Sequence, residues 1–374
     1  MHSSISISDS AIESGGARVA ARACGWMLLG IVAALLTLEV LLRILPVPTA
    51  TETGYYDDPL ILTYPPGHTF RTASGWDLQR ARVQHANNFG FLADHDFVRD
   101  PNAVALIGDS FVEGAMLAPS ARLGHQLESG LAGRPVYAMG VPGTSLLDYA
   151  ERIRFASTHF GIHDFVLLLE HGDIAQSLCG SGNNDGPCLD PETFVPRIET
   201  VPPAGRLKRL LRSSALAQYL FSQLELDPGR SLRTLKGSLF GVTRTKAGRN
   251  PADISVPGID RVLDEFFSRT RPYRTGTLVL ILMGDRRPGD PVRDHLDAAA
   301  HKEHAVLVEI GPSLQEFSWR TGLSPYVSPR DHHLNSLALA VVAAKVAPLV
   351  PRGRSDRELA PRPAPAHAKS KDAV

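Results

Sequence analysis

Short apolar runs, each followed by glycine or polar residues, recur along this chain at residues 103–107, 135–139, 165–170, 277–283 and 305–310. A continuous apolar run of this length is typical of a β-strand that is buried on both faces. Longer segments with helical periodicity separate the runs, at residues 120–131, 145–160 and 290–304. This alternation predicts an α/β fold in which a parallel sheet lies between two layers of helices. Functional residues are then expected at the carboxyl ends of the strands.

One interval, residues 178–274, interrupts this alternation between the third and fourth runs. Within this insertion, residues 206–226 predict an amphipathic helix, because apolar side chains recur there at helical spacing: Leu207, Leu210, Leu211, Leu216, Tyr219, Leu220 and Leu224. Two hypotheses stand for this helix. It is either a lid over the carboxyl ends of the strands or a peripheral element without a role in chemistry.

The longest apolar run, residues 23–42, lies near the N-terminus and contains Glu39 as its only charged residue. A helix of about 20 residues crosses a hydrocarbon core of about 30 Å. A buried core helix or a cleaved signal peptide would also be apolar. The apolar part of a signal peptide is shorter, however, and residues 48–50 make a poor cleavage site. We therefore predict an uncleaved signal-anchor, a transmembrane helix over residues 23–45.

Charges on the two sides of this run predict its orientation. Arg18 and Arg22 precede the run, whereas Arg43 is the only nearby cation that follows it. Positive residues favour the cytoplasmic side of a membrane. We therefore expect residues 1–22 in the cytoplasm, a single pass through the inner membrane, and the rest of the chain in the periplasm or outside the cell. Glu39 and Arg43 are one helical turn apart and are expected to pair.

Composition narrows the classes of function. The 374 residues include 39 lysines and arginines against 39 aspartates and glutamates. Without net positive charge to attract phosphates, nucleic-acid binding is not expected. The three cysteines include no closely spaced pair of the kind that binds zinc, so no metal or other cofactor is predicted.

Two of the cysteines, Cys179 and Cys188, flank a loop that is rich in turn-forming residues. They are a candidate disulfide, which would persist only in an oxidising compartment; two free thiols are the alternative. Residues 351–374 combine proline, alanine and charges without apolar periodicity, which predicts a disordered tail. Residues 50–350 remain as the globular domain.

The first strand ends in Gly108-Asp109-Ser110, where the chain turns into a helix. A serine at this point presents its hydroxyl to a substrate, and its N–H at the helix N-terminus can donate to an oxyanion. The same tripeptide is also common as a simple turn with a helix cap. Glycine-rich or polar turns follow the next two strands and contain Gly143, His171 and Asp173.

The last loop supplies a candidate base, since Asp331, His332 and His333 directly precede an apolar helical pattern. A serine becomes nucleophilic when a neutral histidine, oriented by a carboxylate, accepts its proton. Asp331 and His333 are two residues apart on a loop, so both can turn toward the strand ends. His332 competes with His333 for the role of base.

In these residues and their order the chain resembles the SGNH (GDSL) hydrolase superfamily, in particular its membrane-anchored bacterial members. The resemblance covers about residues 87–349 and is strongest at GDSFVEG and DHHLN, with a lead-in at Asn88-Phe89-Gly90-Phe91. It implies a flavodoxin-like three-layer α/β/α sandwich. The roles that it implies are the nucleophile Ser110, the general base His333, its orienting carboxylate Asp331, and the oxyanion donors Ser110 and Gly143 through their N–H groups. Further candidates for the site are Asp109, His171, Asp173 and His332.

One departure from the family's motifs bears on activity. The third block of the family is Gly-x-Asn-Asp, whereas this chain has Glu170-His171-Gly172-Asp173, so the asparagine that donates to the oxyanion is missing. Losing one such donor typically costs about 2.7 to 4 kcal/mol of transition-state stabilisation. His171, Asn183 and Asn184 are candidate substitutes.

Together, the resemblance and the anchor imply a membrane-bound serine esterase that acts on O-acyl groups of envelope glycans or on lipid esters. An acyltransferase would form the same acyl-enzyme and pass the acyl group to a sugar hydroxyl. The missing asparagine motivates a third hypothesis, a non-catalytic domain that binds a glycan or a biosynthetic partner.

Overall fold

The computed structural model describes residues 10–49, 52–181, 186–199, 205–224, 254–284, 289–329 and 331–353. The strands are β1 (Thr69–Ser74), β2 (Gln79–His85), β3 (Val104–Gly108), β4 (Val136–Gly140), β5 (Asp164–Leu169), β6 (Pro187–Leu189), β7 (Pro196–Ile198), β8 (Leu278–Leu282) and β9 (Val306–Glu309). The α-helices are α1 (Ser10–Ile44), α2 (Ser110–Glu113), α3 (Leu123–Gly130), α4 (Leu146–Phe155), α5 (Gly172–Gln176), α6 (Arg206–Ser213), α7 (Ala215–Gln218), α8 (Val256–Thr270), α9 (Pro291–Lys302), α10 (Gly311–Thr321) and α11 (Ser336–Val346).

These residues form two compact units. The first contains the described residues of 10–49, 70–83 and 205–224. The second contains those of 52–69, 84–199 and 254–353. The insertion predicted over 178–274 is therefore divided between the two units.

A five-stranded sheet organises the second unit, in the order β4-β3-β5-β8-β9 with all neighbours parallel. Each strand coincides, within a residue or two, with one of the apolar runs. The order corresponds to 2-1-3-4-5 along the chain, which is the flavodoxin-like arrangement. The predicted fold class is confirmed.

Two apolar cores lie on opposite faces of this sheet, because side chains alternate along a strand. Val104 and Leu106 of β3 belong to one core, which α3 and α11 cover. Ala105 and Ile107 belong to the other core, which α4, α8 and α9 cover. The helix, sheet and helix layers bury every residue of β3, from Val104 to Gly108.

The winding of the sheet determines where a site forms. The chain runs from β4, at one edge, across β3 to β5, so the direction of winding reverses between β3 and β5. Loops diverge at such a point and leave a crevice at the carboxyl ends of the two strands. The turn after β3 contains Ser110 and the turn after β5 contains His171 and Asp173.

In the first unit, α1 includes a 24-residue apolar stretch, Ala21–Ile44, that is long enough to cross a membrane. Its large side chains are exposed rather than packed, with Leu28 and Leu36 about 60% accessible. This exposure argues against the alternative of a buried core helix. The predicted pair within it is confirmed, since Arg43 Nε lies 2.7 Å from Glu39 Oε1.

The prediction of one continuous helix over 206–226 is wrong, because the helix is interrupted at Ser214, between α6 and α7. Ser214 has extended backbone angles, and its hydroxyl accepts a hydrogen bond from the N–H of Ala217, so it caps α7. A π-helical turn, Tyr219–Gln223, follows. Both helices lie in the first unit together with α1, and the lid hypothesis for this segment stays a prediction.

The cysteines of the insertion are bonded to each other. Cys179 and Cys188 form a disulfide with a Cα–Cα distance of 5.1 Å, which confirms the predicted pairing over the alternative of two free thiols. Cys188 lies in β6, which pairs with β7 in an antiparallel ribbon. Asn183 and Asn184, between the cysteines, lie outside the described residues, as does the chain beyond residue 353, where most of the predicted tail falls.

Candidate active site

Ser110 is the first residue of α2, directly after β3. The side chain of Asp109 caps this helix by accepting a hydrogen bond of 2.9 Å from the N–H of Phe111. Gly114, in the left-handed conformation at φ 59°, ends the helix after one turn. The Ser110 amide therefore lies at a helix N-terminus, where the backbone dipoles favour negative charge.

Close packing of the turn after β3 depends on a glycine of the neighbouring strand. A Cβ atom at Gly140, the last residue of β4, would lie 2.2 Å from the backbone nitrogen of Glu113. Only glycine permits this approach of β4 to α2. The carboxyl ends of β3 and β4 are thereby held side by side.

Ser110, His333 and Asp331 form a continuous chain of hydrogen bonds. The hydroxyl of Ser110 lies 2.8 Å from His333 Nε2, and His333 Nδ1 lies 2.6 Å from Asp331 Oδ1. A carboxylate at Nδ1 favours the tautomer with its proton on that nitrogen, which leaves Nε2 as the acceptor for the serine proton. The arrangement is that of a nucleophile, a base and an orienting carboxylate.

Backbone contacts hold the last loop in place for this purpose. Asp331 Oδ1 also accepts the His333 N–H at 3.1 Å, and the His333 carbonyl accepts from the N–H of Val327 at 2.8 Å. Asn335 caps α11 through its side-chain oxygen and donates to the carbonyls of Ser324 and Tyr326. The candidate site residues of this motif thus also fix the conformation of the loop.

The neighbouring histidine has different surroundings. The exposed ring of His332 lies 5.5 Å from the ring of Tyr326. Of the two histidines, His333 is the one that contacts the Ser110 hydroxyl. The ring of Phe111 packs beside the imidazole of His333, with 4.7 Å between the ring centres.

The predicted backbone oxyanion donors lie on adjacent strand ends. Gly143 follows β4 and has φ 72°, a left-handed conformation that suits glycine. Gly172 occupies the place of the family's asparagine and begins α5. This turn therefore presents a backbone where the motif of the superfamily that the chain resembles has an amide side chain.

His171, the described candidate substitute for that asparagine, has a hydrogen-bond partner at each ring nitrogen. Its Nδ1 lies 2.7 Å from the carbonyl oxygen of Met283, and its Nε2 lies 2.5 Å from a carboxylate oxygen of Asp290. Both ring nitrogens are thus engaged, and neither is left to donate to an oxyanion. The hypothesis that His171 is a substitute donor stays a prediction, which would require the ring to leave one of these two partners.

Three carboxyl groups, one of them on the residue that precedes Ser110, lie close together. Oxygens of Asp109, Glu170 and Asp173 lie within 4.8 Å of one another. Burial raises the pKa of Glu170 to about 7, with the charge of Asp109 as a second cause. Burial also raises the pKa of Asp109, and it raises that of Asp173 well above its ordinary value, again with help from Asp109. With a pKa of about 7, Glu170 holds a proton part of the time near neutral pH, which reduces the charge of the cluster.

Asp173 has a structural part in this turn. It is 1% exposed, and its Oδ2 accepts hydrogen bonds from the N–H of Glu170 at 2.9 Å and from the hydroxyl of Tyr149 at 3.2 Å. It therefore closes the turn after β5 and ties it to α4.

Sequence patterns did not reveal Arg152, which connects the carboxyl ends of β3 and β4. This fully buried side chain of α4 donates through Nη1 to the carbonyls of Gly108 at 2.6 Å and Met139 at 3.0 Å. An arginine within an amphipathic helical pattern ordinarily faces solvent, so only its position on the apolar face of α4 could have indicated this role.

A cavity of about 650 Å³ opens beside the last loop. Its walls are mostly apolar, and the residues that line it are Phe111, Glu170, His171, Gly172, Met283, Gly284, Gly311, Leu314, Gln315, Ser318, Pro325, Tyr326, His332 and Leu334. Phe111 links the cavity to the His333 ring. A small organic group bound there would contact Phe111, whose ring lies beside that of His333.

The raised pKa of Glu170 makes the stability of the fold depend on pH. Between its ordinary value of 4.5 and about 7, the folded chain keeps a proton that the unfolded chain releases. The free energy of unfolding should therefore fall as the pH rises through this window. We expect the Glu170→Gln variant to lose less stability than the wild type between about pH 5 and about pH 8 in chemical denaturation.

The exposed Glu192 provides the matched control. Glu192→Gln removes the same charge and should keep the wild-type dependence on pH. If the free energy of unfolding changes equally with pH in the wild type and in Glu170→Gln, the pKa of Glu170 is not raised in the folded chain.

Comparison with known proteins adds a set of solved structures. A scan against models of protein families and a search of the curated proteins found no match. One similar structure is a member of the lipolytic G-D-S-L family from Veillonella parvula, at 10% identity and a TM-score of 0.36, covering 66% of this chain and 97% of that one. A catalytic mutant of Axe2, an acetylxylan esterase from Geobacillus stearothermophilus, has 13% identity and a TM-score of 0.34 over 69% of this chain and 99% of its own.

A third similar structure is AlinE4, an SGNH-hydrolase family esterase, at 14% identity and a TM-score of 0.27, covering 67% of this chain and 98% of that one.

Proposed function

We propose that this chain is a membrane-anchored serine esterase of the SGNH type, which hydrolyses ester-linked acyl groups. The observation that carries the proposal is the hydrogen-bonded chain from the Ser110 hydroxyl through His333 to Asp331. A binding module has no need of an imidazole held between a hydroxyl and a carboxylate. The same chain therefore favours an enzyme over the non-catalytic alternative.

Catalysis would proceed through an acyl-enzyme. The Ser110 oxygen attacks the ester carbonyl while His333 Nε2 takes the hydroxyl proton, and the carbonyl oxygen becomes an oxyanion. The bond to the leaving alcohol then breaks, and His333 returns the proton to that alcohol. Water, deprotonated by His333, next attacks the carbonyl carbon of the acyl-serine. The tetrahedral intermediate that forms then breaks its bond to the Ser110 oxygen, which takes the proton back from His333 as the carboxylic acid is released.

Charge on the oxyanion would be stabilised by backbone donors. The N–H of Ser110 at the start of α2 and the N–H of Gly143 are assigned this part. With Gly172 in place of an asparagine, one side-chain donor fewer contributes, which typically costs about a hundred- to thousandfold in rate. We therefore expect a slow esterase rather than an inactive one.

The substrate is proposed from location and from the cavity. The exposed apolar α1 and the Cys179–Cys188 disulfide support an anchor in the inner membrane with the catalytic unit in the periplasm. Acylated envelope glycans and lipid esters are the acyl compounds available there. The mostly apolar cavity beside His332 would take the acyl group.

Product analysis with the purified full-length chain tests this assignment. We expect the wild type to release acetate from an O-acetylated polysaccharide, or butyrate from a tributyrin emulsion, above the level of a Ser110→Ala preparation. Acyl transfer to an added sugar, with little free acid, would instead identify the acyltransferase alternative. No release or transfer from these substrates and none from p-nitrophenyl acetate would contradict the proposal of an enzyme.

A further inference from the structure

The first compact unit has a distinctive surface of basic, aliphatic and aromatic side chains. We call residues 206–223, which comprise α6, α7 and the turn Tyr219–Gln223, the interfacial segment. Large apolar side chains of this unit are exposed beyond α1 itself, with accessibilities of 65% for Leu210 and 66% for Trp76. Exposed apolar groups of this size mark a surface that contacts a membrane or another protein.

The interfacial segment is fixed to the last turns of α1. Glu39 accepts hydrogen bonds from the Ser214 hydroxyl at 2.7 Å and from the N–H groups of Ala215 at 3.1 Å and Leu216 at 2.9 Å, so it helps to cap α7. Arg43 donates to the carbonyl of Ser213 at 3.2 Å. The interfacial segment is therefore attached to the last turns of the apolar span.

The depth of this attachment follows from helix geometry. Glu39 is five residues before Ile44, the end of the apolar span, which corresponds to about 8 Å along the helix axis. When α1 crosses a bilayer, this position falls near the boundary between acyl chains and headgroups. The break at Ser214 places α6 and α7 at the same boundary.

The side chains of α6 suit such a position. Arg206, Arg209 and Arg212 recur every third residue and are exposed, so they lie on neighbouring parts of one helical face. Leu210 and the 42%-exposed Leu211 occupy another face. A short helix with a basic face and an exposed apolar face is typical of a helix that lies in the plane of a membrane interface.

Aromatic residues within and beside the interfacial segment point to the same environment. Trp76, in the turn between β1 and β2, accepts a hydrogen bond through its carbonyl from the Tyr219 hydroxyl at 2.6 Å. Phe221 is 44% exposed. Tryptophan and tyrosine are enriched at membrane–water interfaces, because their rings are apolar at one end and polar at the other.

We propose that the interfacial segment lies in the headgroup layer of the membrane that α1 crosses and binds anionic phospholipids through Arg206, Arg209 and Arg212. Leu210 and Leu211 enter the upper acyl region, and Trp76 lies at the headgroups. The inference goes beyond ester hydrolysis and rests on the anchor part of the proposed function. Charge complementarity and continuity with the apolar span make an anionic bilayer the occupant of this surface.

Spin labels on the full-length chain in lipid nanodiscs test the depth. On a Cys24→Ser background, single labels are introduced by Leu210→Cys, Leu36→Cys and Lys302→Cys, and collision rates with oxygen and with a water-soluble nickel chelate are compared. We expect the label at position 210 to favour oxygen, as the one within α1 does, whereas the exposed position 302 should favour nickel.

Lipid charge tests the arginines. Adding phosphatidylglycerol to phosphatidylcholine nanodiscs should shift the label at position 210 further toward oxygen. The triple variant Arg206→Gln, Arg209→Gln, Arg212→Gln should lose this shift. A control with the same loss of charge on exposed side chains of the second unit should keep it: Arg261→Gln, Lys302→Gln, Arg320→Gln.

The outcomes separate the two proposals. Nickel access at position 210 equal to that at 302, with position 36 still in lipid, would overturn the interfacial proposal and leave the anchor intact. Nickel access at position 36 would overturn the anchor and this inference together, whatever the ester hydrolysis. A shift with phosphatidylglycerol that survives the triple variant would overturn the assignment to the arginines.

Discussion

Replacing Ser110 by alanine should lower kcat for p-nitrophenyl acetate by about a millionfold, which is the size of loss found when a serine nucleophile is removed. The variant keeps the helix start and the Asp109 cap, which use other atoms. It loses the hydroxyl oxygen to which the proposed mechanism attaches the acyl group. Steady-state hydrolysis by the full-length chain in detergent is the measurement.

Ser129→Ala is the matched control for this change. Ser129 is an exposed helical serine whose hydroxyl donates to the carbonyl of His125, so the same atom is deleted away from the site. We expect wild-type kcat from it. If Ser110→Ala hydrolyses the ester as fast as the control, the serine is not the nucleophile.

His333→Ala should cost nearly as much, because a serine without its base loses most of the advantage of the triad. His332→Ala provides a comparison one residue away. His332 lines the cavity but does not contact the hydroxyl, so we expect a change in KM with kcat preserved. Kinetics of the two variants on one ester separate these effects.

The reverse order, with kcat lost in His332→Ala and kept in His333→Ala, would contradict the assignment of the base. Equal and small effects in both would favour a binding module over an enzyme.

The sheet could be predicted because its strands are buried on both faces. A strand such as β5, buried from Asp164 to Leu169, is apolar nearly throughout and needs no partner information to be recognised. The boundaries were less accurate. The first run was placed at 103–107, whereas β3 extends through Gly108, which pairs with Gly140 of β4.

Features that depend on distant residues could not be predicted. The helical pattern over 206–226 breaks at Ser214 partly because Glu39, far away in the sequence, accepts hydrogen bonds from the N–H groups of the next two residues, Ala215 and Leu216. Likewise, His171 is engaged by Met283 and Asp290, more than a hundred residues later. Local patterns contain no record of such partners.

The candidate triad lies between these cases. Ser110, Asp331 and His333 were identified by their motifs, and the parallel sheet explains why the ends of β3 and β5 meet at one edge. The resemblance already favoured His333 over His332, whereas the loop contacts of Asn335 and Val327 that hold His333 in place could not be read from the sequence. The carboxyl cluster required the burial of Glu170 and Asp173, which their sequence does not indicate.

The most direct test of the central claim is the mass of the protein after treatment with a fluorophosphonate, which reacts with activated serines. We predict one adduct on the wild type, mapped by peptide mass spectrometry to Ser110, and none on Ser110→Ala or His333→Ala. An adduct that persists on Ser110→Ala, or no adduct on the folded wild type, would contradict the account.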